Sequence, residues 1–201
     1  MTLPLVGVSP WKFVAGATSL EDENLQPLTA TPLDEALSAC HETDAHFAPY
    51  VLSEGSSWVA RYPRCNKRNS RILTDLRDRG ANLWTTCFVF DYDHPKLAGN
   101  IKQRWTPELW DSFERRILEV HERGLSLAFG WTWLYTTTHG ARLIYALSTP
   151  VPVDEAEGLI AGVVRDFRLY GIVLDPLKDW TRLFRLPRVT RTLENGQVLK
   201  T

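Results

Sequence analysis

The chain has 201 residues, 44% of them hydrophobic and 23% charged, with a formal net charge of -1. That length supports one substantial core, or a core with a small accessory lobe, and the composition is that of a globular protein rather than a disordered or fibrous one. No apolar run approaches the about 18 residues of a membrane span, and the start MTLPLVGVSPWKF lacks the pattern of a secretory signal.

Three cysteines, Cys40, Cys65 and Cys87, form neither a CxxC pair nor a disulfide framework. A reducing, cytoplasmic compartment is the expectation. Cys40, His41, His46 and Cys65 could supply four zinc ligands, but their spacing matches no common site. Charge is unevenly distributed. Residues 1–60 carry one Lys/Arg against eight Asp/Glu, residues 61–81 seven against two, and residues 165–201 eight against four. Basic segments on either side of a metal-ready middle suit a phosphate-bearing ligand.

In chain order, the first 60 residues read as irregular, punctuated by Pro4, Pro10, Pro27, Pro32 and Pro49. A short helix is expected over Leu33–Cys40, and a hairpin or two short edge strands over Val51–Leu52 and Trp58–Ala60. A basic helix follows from Asn69 or Ser70 to Arg79, closed by Gly80. Trp84–Phe90 is a β-rich run ending at Asp91-Tyr92-Asp93-His94-Pro95. Thr106-Pro107 opens a helix, with the hydroxyl as N-cap and proline at the first helical position. Leu109, Phe113, Ile117 and Val120 form its apolar stripe, and Gly124 ends it. Leu125–Tyr135 reads as a strand, Thr136–Gly140 as a turn and Ala141–Leu147 as a strand broken by Pro150 and Pro152. Asp154 caps a helix to Tyr170 with Ala156, Leu159, Ile160, Val163, Val164 and Phe167 inward. Ile172–Leu174 is a last strand leading into Asp175.

The order β-α-β-β-α-β implies an α+β fold: a split βαβ (RRM-like or ferredoxin-like) antiparallel sheet with helices, plus an N-terminal accessory lobe. The expected division is 1–83 accessory lobe, 84–190 catalytic core and 191–201 tail or linker.

Asp91 and Asp93 lie two apart at a strand end, so both side chains point to one face. Paired carboxylates repel, and a divalent cation relieves the repulsion; oxygen ligands suit Mg2+ or Mn2+. Asp175, after a second short apolar strand, is a candidate third carboxylate, with Asp179 as a competitor. Between them, Thr137, His139, Gly140 and Arg142 form a turn able to meet phosphate by hydroxyl, backbone approach and a bidentate fork. Arg182 and Arg185 could add triphosphate or template-backbone contacts. Trp180 and Phe184 are stacking or core residues. Arg64, Lys67, Arg68 and Arg71 read as an electrostatic contact for nucleic acid.

Taken together, FVFDYDHP (Phe88–Pro95), TTHGARLIY (Thr137–Tyr145) and LDPLKDWTRLFRLP (Leu174–Pro187) resemble the catalytic domain of the archaeo-eukaryotic primase superfamily, in its plasmid and phage primase-polymerase branch. The resemblance covers about residues 84–190. It implies that Asp91, Asp93 and Asp175 hold two Mg2+ or Mn2+ ions. It implies a DNA primase or polymerase that joins NTPs or dNTPs on a single-stranded DNA template and primer, with a fused or separate helicase and no membrane. The family's middle motif places a histidine where Arg142 stands here, with His139 three residues earlier. Either His139 substitutes or Arg142 takes over the phosphates. No GxxxxGK[ST] loop is present. The rivals are a metal-dependent nuclease or a replication initiator, the relaxase-like form of which would want a tyrosine nucleophile, for which Tyr92 and Tyr145 exist, and an HxH pair, which is absent here, and a non-catalytic nucleic-acid-binding module, which would want aromatics on the two central strands.

Overall fold

A computed structural model of the chain describes residues 5–9, 28–54, 57–59, 83–96, 102–123, 133–175, 183–192 and 195–200. The elements in chain order are β1 (Leu5–Ser9), β2 (Thr29–Pro32), α1 (Leu33–Ser38), β3 (His46–Ala48), β4 (Tyr50–Glu54), β5 (Ser57–Val59), β6 (Leu83–Asp93), α2 (Pro107–Glu122), β7 (Trp133–Thr137), β8 (Gly140–Pro152), α3 (Val153–Leu169), β9 (Leu174–Asp175), β10 (Phe184–Arg185), β11 (Thr190–Thr192) and β12 (Val198–Lys200). This is a mixed α+β fold with antiparallel sheets. The expected helix over residues 69–79 lies outside the described residues, as does the segment 125–132 of the expected strand Leu125–Tyr135. No helix among the described residues is long and apolar enough to cross a membrane.

The chain divides into two compact units: Met1–Cys87, Leu147–Val153 and Asp179–Thr201 in the first, Phe88–Ala146 and Asp154–Lys178 in the second. In the first unit, β1, β2, β3 and β10 form a sheet of order β10-β3-β1-β2, antiparallel throughout. Val6, Leu33, Phe47 and Phe184 are fully buried or nearly so, with the rings of Phe47 and Phe184 5.8 Å apart. A segment expected to be irregular is therefore partly β: its strands are three to five residues long, too short for alternation to stand out among the prolines. The expected hairpin forms, with Leu52 opposite Val59, and β4 also pairs with the start of β6. β11 and β12 pair with each other.

In the second unit the strand order is β9-β6-β8-β7. Strand β6 continues through Asp93, past the expected end at Phe90. Strand β8 runs past Pro150 and ends at Pro152, the second of the two prolines expected to break it. The last strand is shorter than expected, Leu174–Asp175 only. Between the strands run α2 and α3. Thr106 Oγ1 accepts from the Leu109 amide and Pro107 opens α2, as the sequence requires. At the end of α3 the Ile172 amide donates to the Phe167 carbonyl and the Gly171 amide to that of Arg168. Gly171 takes φ 71°. This is the hydrogen-bond pattern of a left-handed C-terminal turn.

The buried stripe of α2 is Phe113, Ile117 and Val120, and that of α3 is Val153, Ala156, Ile160, Val163 and Phe167. Leu159, expected inward, is 48% exposed. It lies beside a stripe whose three-and-four spacing already covers the available width. Even-numbered residues of β6 face the helices: Tyr92 stacks on Phe113 at 4.4 Å, and Phe90 meets Tyr145 edge-on at 5.7 Å. The Tyr145 hydroxyl in turn lies 3.3 Å from His121 Nε2 on α2. Alternation sends Asp91 and Asp93 to the opposite face.

The β7–β8 hairpin turns on Thr138 and His139, so Thr137 pairs with Gly140 and Tyr135 with Arg142. Gly140 is buried against β6: a Cβ there would overlap the Tyr92 carbonyl and come within 3.0 Å of Asp93 Cα. Gly140→Ala is expected to lower unfolding free energy by about 3 kcal/mol, at the upper end of overpacking penalties. Gly158→Ala on α3, where an added Cβ meets nothing within 4 Å, is expected to raise it by roughly 0.5–1 kcal/mol. Urea denaturation of both variants checks the contrast.

Candidate active site

Asp91 on β6 and Asp175 on β9 are direct cross-strand partners, and Tyr92 pairs with Leu174. Direct partners share a face, so Asp175 lies with Asp91 and Asp93 on the side away from the helices. Tyr92 and Leu174, 5% and 1% exposed, fix the other side of the same pair of strands in the core. The two short apolar runs thus bring carboxylates 84 positions apart into register. Like charges directly opposite one another destabilise a sheet.

A guanidinium meets that charge. Arg142 Nε donates to Asp91 Oδ1 at 2.6 Å, with the two side chains only 11% and 15% exposed. Arg142 Nη1 donates to the Tyr135 hydroxyl at 3.2 Å, and the guanidinium carbon sits 5.7 Å from the Tyr135 ring centroid. Burial alone would make Arg142 a weaker base; Tyr135 and Asp91 outweigh it and push its pKa above the ordinary arginine value. Tyr135 was not singled out from sequence. A two-residue turn at Thr138-His139 would have placed it opposite Arg142, so the hairpin register carried the signal.

The rest of the turn is held from behind. The His94 amide donates to the His139 carbonyl at 2.9 Å. His139 Nδ1 lies 3.0 Å from the Gln103 carbonyl, and the Trp105 indole N–H donates to the Gly140 carbonyl. The close approach that requires glycine at position 140 is thus to strand β6. Thr137 is half-buried at the hairpin end. His94 packs edge-on against Trp105 at 4.0 Å and Tyr92 at 5.5 Å. Burial lowers its pKa, His139 and Arg116 add to that, and Asp93 opposes it. Trp105 and the His94 amide brace the turn from the side; as lone aromatic and imidazole residues they carry no spacing signal.

The structure therefore brings together Asp91, Asp175 and Arg142, with Asp93 on the same face of β6 and Thr137, His139 and Gly140 in the adjoining hairpin. Arg185 belongs to the first unit. It forms a two-pronged ion pair with Asp44, Nε to Oδ1 at 2.6 Å and Nη2 to Oδ2 at 3.2 Å, with Arg191 3.8 Å from the same carboxylate. Arg182, Arg64, Lys67, Arg68 and Arg71 lie outside the described residues, as do Cys65, Asp179 and Trp180. Phe184 is core. His41 Nε2 lies 3.0 Å from the Ala36 carbonyl and His46 Nδ1 2.7 Å from that of Asp44.

Among the described residues no group of three His, Cys, Asp or Glu side chains is placed to hold a metal ion. The donor set on this face nevertheless fits a hard divalent cation in kind: its candidate ligands are all carboxylate oxygens, and a guanidinium already occupies the position of a counter-cation on Asp91. No protein-family model, no curated protein and no solved structure matches the chain.

The Asp44 ion pair has a pH signature. Burial would raise the Asp44 pKa, but the hydrogen bond and charge of Arg185, with His46 and Arg191, hold it below the ordinary value of 3.8. The folded pKa is depressed, so the pair's contribution is complete above the unfolded value and fades as pH falls through the folded one. Asp44→Asn should therefore be less stable than wild type at neutral pH, with the gap closing only below about pH 4. Paired denaturation curves from pH 7 to pH 2.5 check this, and a gap that closes nearer pH 6 would assign it to another group.

Proposed function

We propose that the chain is a template-directed nucleotidyl transferase, a DNA primase or polymerase of the archaeo-eukaryotic primase type. The observation that carries the reading is the register of Asp91 against Asp175, with Asp93 on the same strand face. The β-α-β-β-α-β order and the strand order β9-β6-β8-β7 support a split βαβ sheet as its scaffold. On the face away from the helices, the two middle strands carry Asp91, Asp93 and Arg142, next to Val89 and Ile144, which are buried. The aromatics of those strands, Phe88, Phe90, Tyr92 and Tyr145, are buried. An RNA-binding module of this layout would place stacking aromatics where these carboxylates stand, so the pattern favours chemistry over simple binding.

The reaction is attack of a 3′-hydroxyl on the α-phosphate of a nucleoside triphosphate, with pyrophosphate leaving. Asp91, Asp93 and Asp175 would hold two divalent cations, Mg2+ or Mn2+. Such cations, when bound, supply activation of the attacking hydroxyl and neutralisation of charge on the transferred phosphoryl group. Arg142 and His139 would orient the triphosphate, Arg142 through its planar fork. Thr137 would add a hydroxyl donor at the same edge. The hairpin backbone is held by Trp105 and the His94 amide, and the His139 ring by the Gln103 carbonyl, so that these groups meet the nucleotide without rearrangement of the turn.

The test is incorporation of labelled NTPs and dNTPs on single-stranded DNA, with and without a primer, in Mg2+ or Mn2+. Wild type should give product. Asp93→Asn, at an exposed position, should lose about a hundredfold or more in rate while keeping its melting temperature and template affinity. Asp91→Ala should lose activity as well, and also stability, because it leaves the Arg142 charge enclosed without this partner. Activity unchanged in Asp93→Asn, or no product from wild type under any condition, would overturn the proposal.

A further inference from the structure

We infer that Arg142 is the resident counter-cation of Asp91, and that a divalent cation engages this carboxylate only by displacing the guanidinium. The inference rests on the carboxylate-site reading proposed above and names a control built into that site.

The geometry of the pair motivates it. Asp91 and Asp175 stand directly opposite one another on antiparallel strands, an arrangement that calls for positive charge. Arg142 supplies it at 2.6 Å from Asp91 Oδ1. Both side chains are largely enclosed, so salt screens the pair less than a surface one. The guanidinium is held from its other end by the Tyr135 hydroxyl at 3.2 Å, and its backbone is fixed opposite Tyr135 in the hairpin. Arginine cannot shed its proton in a protein, so the charge is permanent. A divalent cation arriving at Asp91 meets a carboxylate that already has a cation on it. Two cations sharing one enclosed carboxylate repel, so the metal binds weakly until Arg142 moves off. A histidine at the same position can release its proton as a metal arrives, so it would pose a smaller barrier than a permanent charge.

Mn2+ titration of the full chain without nucleotide tests this, read by electron paramagnetic resonance of free Mn2+ and by the melting temperature. Arg142→Met keeps the length of the stem and removes the charge. It is expected to bind Mn2+ about tenfold more tightly than wild type, within the usual range of couplings between competing ligands, and to gain more melting temperature from Mn2+. Tyr135→Phe, which removes only the hydroxyl that holds Nη1, should shift affinity in the same direction by a smaller factor, and decides the matter if Arg142→Met does not fold. Adding Asp91→Asn to Arg142→Met should abolish the gain. Equal or weaker Mn2+ binding by Arg142→Met and Tyr135→Phe, with wild type binding Mn2+, would overturn the inference and leave the metal-site reading standing. No Mn2+ binding by any form would overturn both. Tighter binding by the variants in a protein that never incorporates nucleotide would uphold the inference and count against nucleotidyl transfer.

Discussion

Strand β6 has to serve two incompatible environments at once, and it does so through the alternation of its side chains. Phe88, Phe90 and Tyr92 go to the helix side, where Tyr92 stacks on Phe113 and Phe90 meets Tyr145. Asp91 and Asp93 go to the other side, one of them half-buried and the other exposed. A slip of one residue would exchange the two sets, placing carboxylates in the core and aromatic rings at the carboxylate face. The burial of Tyr92 and its pairing with Leu174 therefore hold Asp91 opposite Asp175. The apolar side specifies the polar side.

The second dependence is electrostatic. Two facing carboxylates call for positive charge, and Arg142 brings a guanidinium to one of them, Asp91. Its placement follows from the tight hairpin and from Gly140, whose missing side chain lets β8 begin hard against the Tyr92 carbonyl. Under the proposed function, the arginine that stands where the resembled family has a histidine is then more than a substitute phosphate ligand. On that reading it would set how readily the carboxylates accept a metal. That gives a physical meaning to the departure from the family's pattern.

Much of the second unit was legible in the sequence. Helix α2 was marked at its start by Thr106-Pro107, and its stripe by Phe113, Ile117 and Val120. Helix α3 was marked at its end by Gly171. Both are local signals, written within a turn or two of the residues they govern. Strand ends were harder. β8 passes Pro150 and runs to Pro152, so proline did not stop it where local rules suggested. β1, β2 and β3 are too short for periodicity to show. Of the site, the Asp91/Asp93 pair and Asp175 were readable because each follows an apolar run. Partnerships between distant residues were not: that Arg185 is taken up by Asp44, 141 positions away, depends on the pairing of β10 with β3, which nothing local encodes. The link between Arg142 and Tyr135 lay within reach, since a two-residue turn fixes their register.

Everything functional depends on whether the carboxylates of Asp91, Asp93 and Asp175 hold cations together. Anomalous diffraction at the manganese edge, from crystals grown with Mn2+ and a non-hydrolysable nucleoside triphosphate, asks this directly. The expected result is manganese density bounded by those three carboxylates, with the Arg142 guanidinium moved from Asp91. Manganese found only elsewhere, with Arg142 still on Asp91 at saturating Mn2+ and nucleotide, would contradict it.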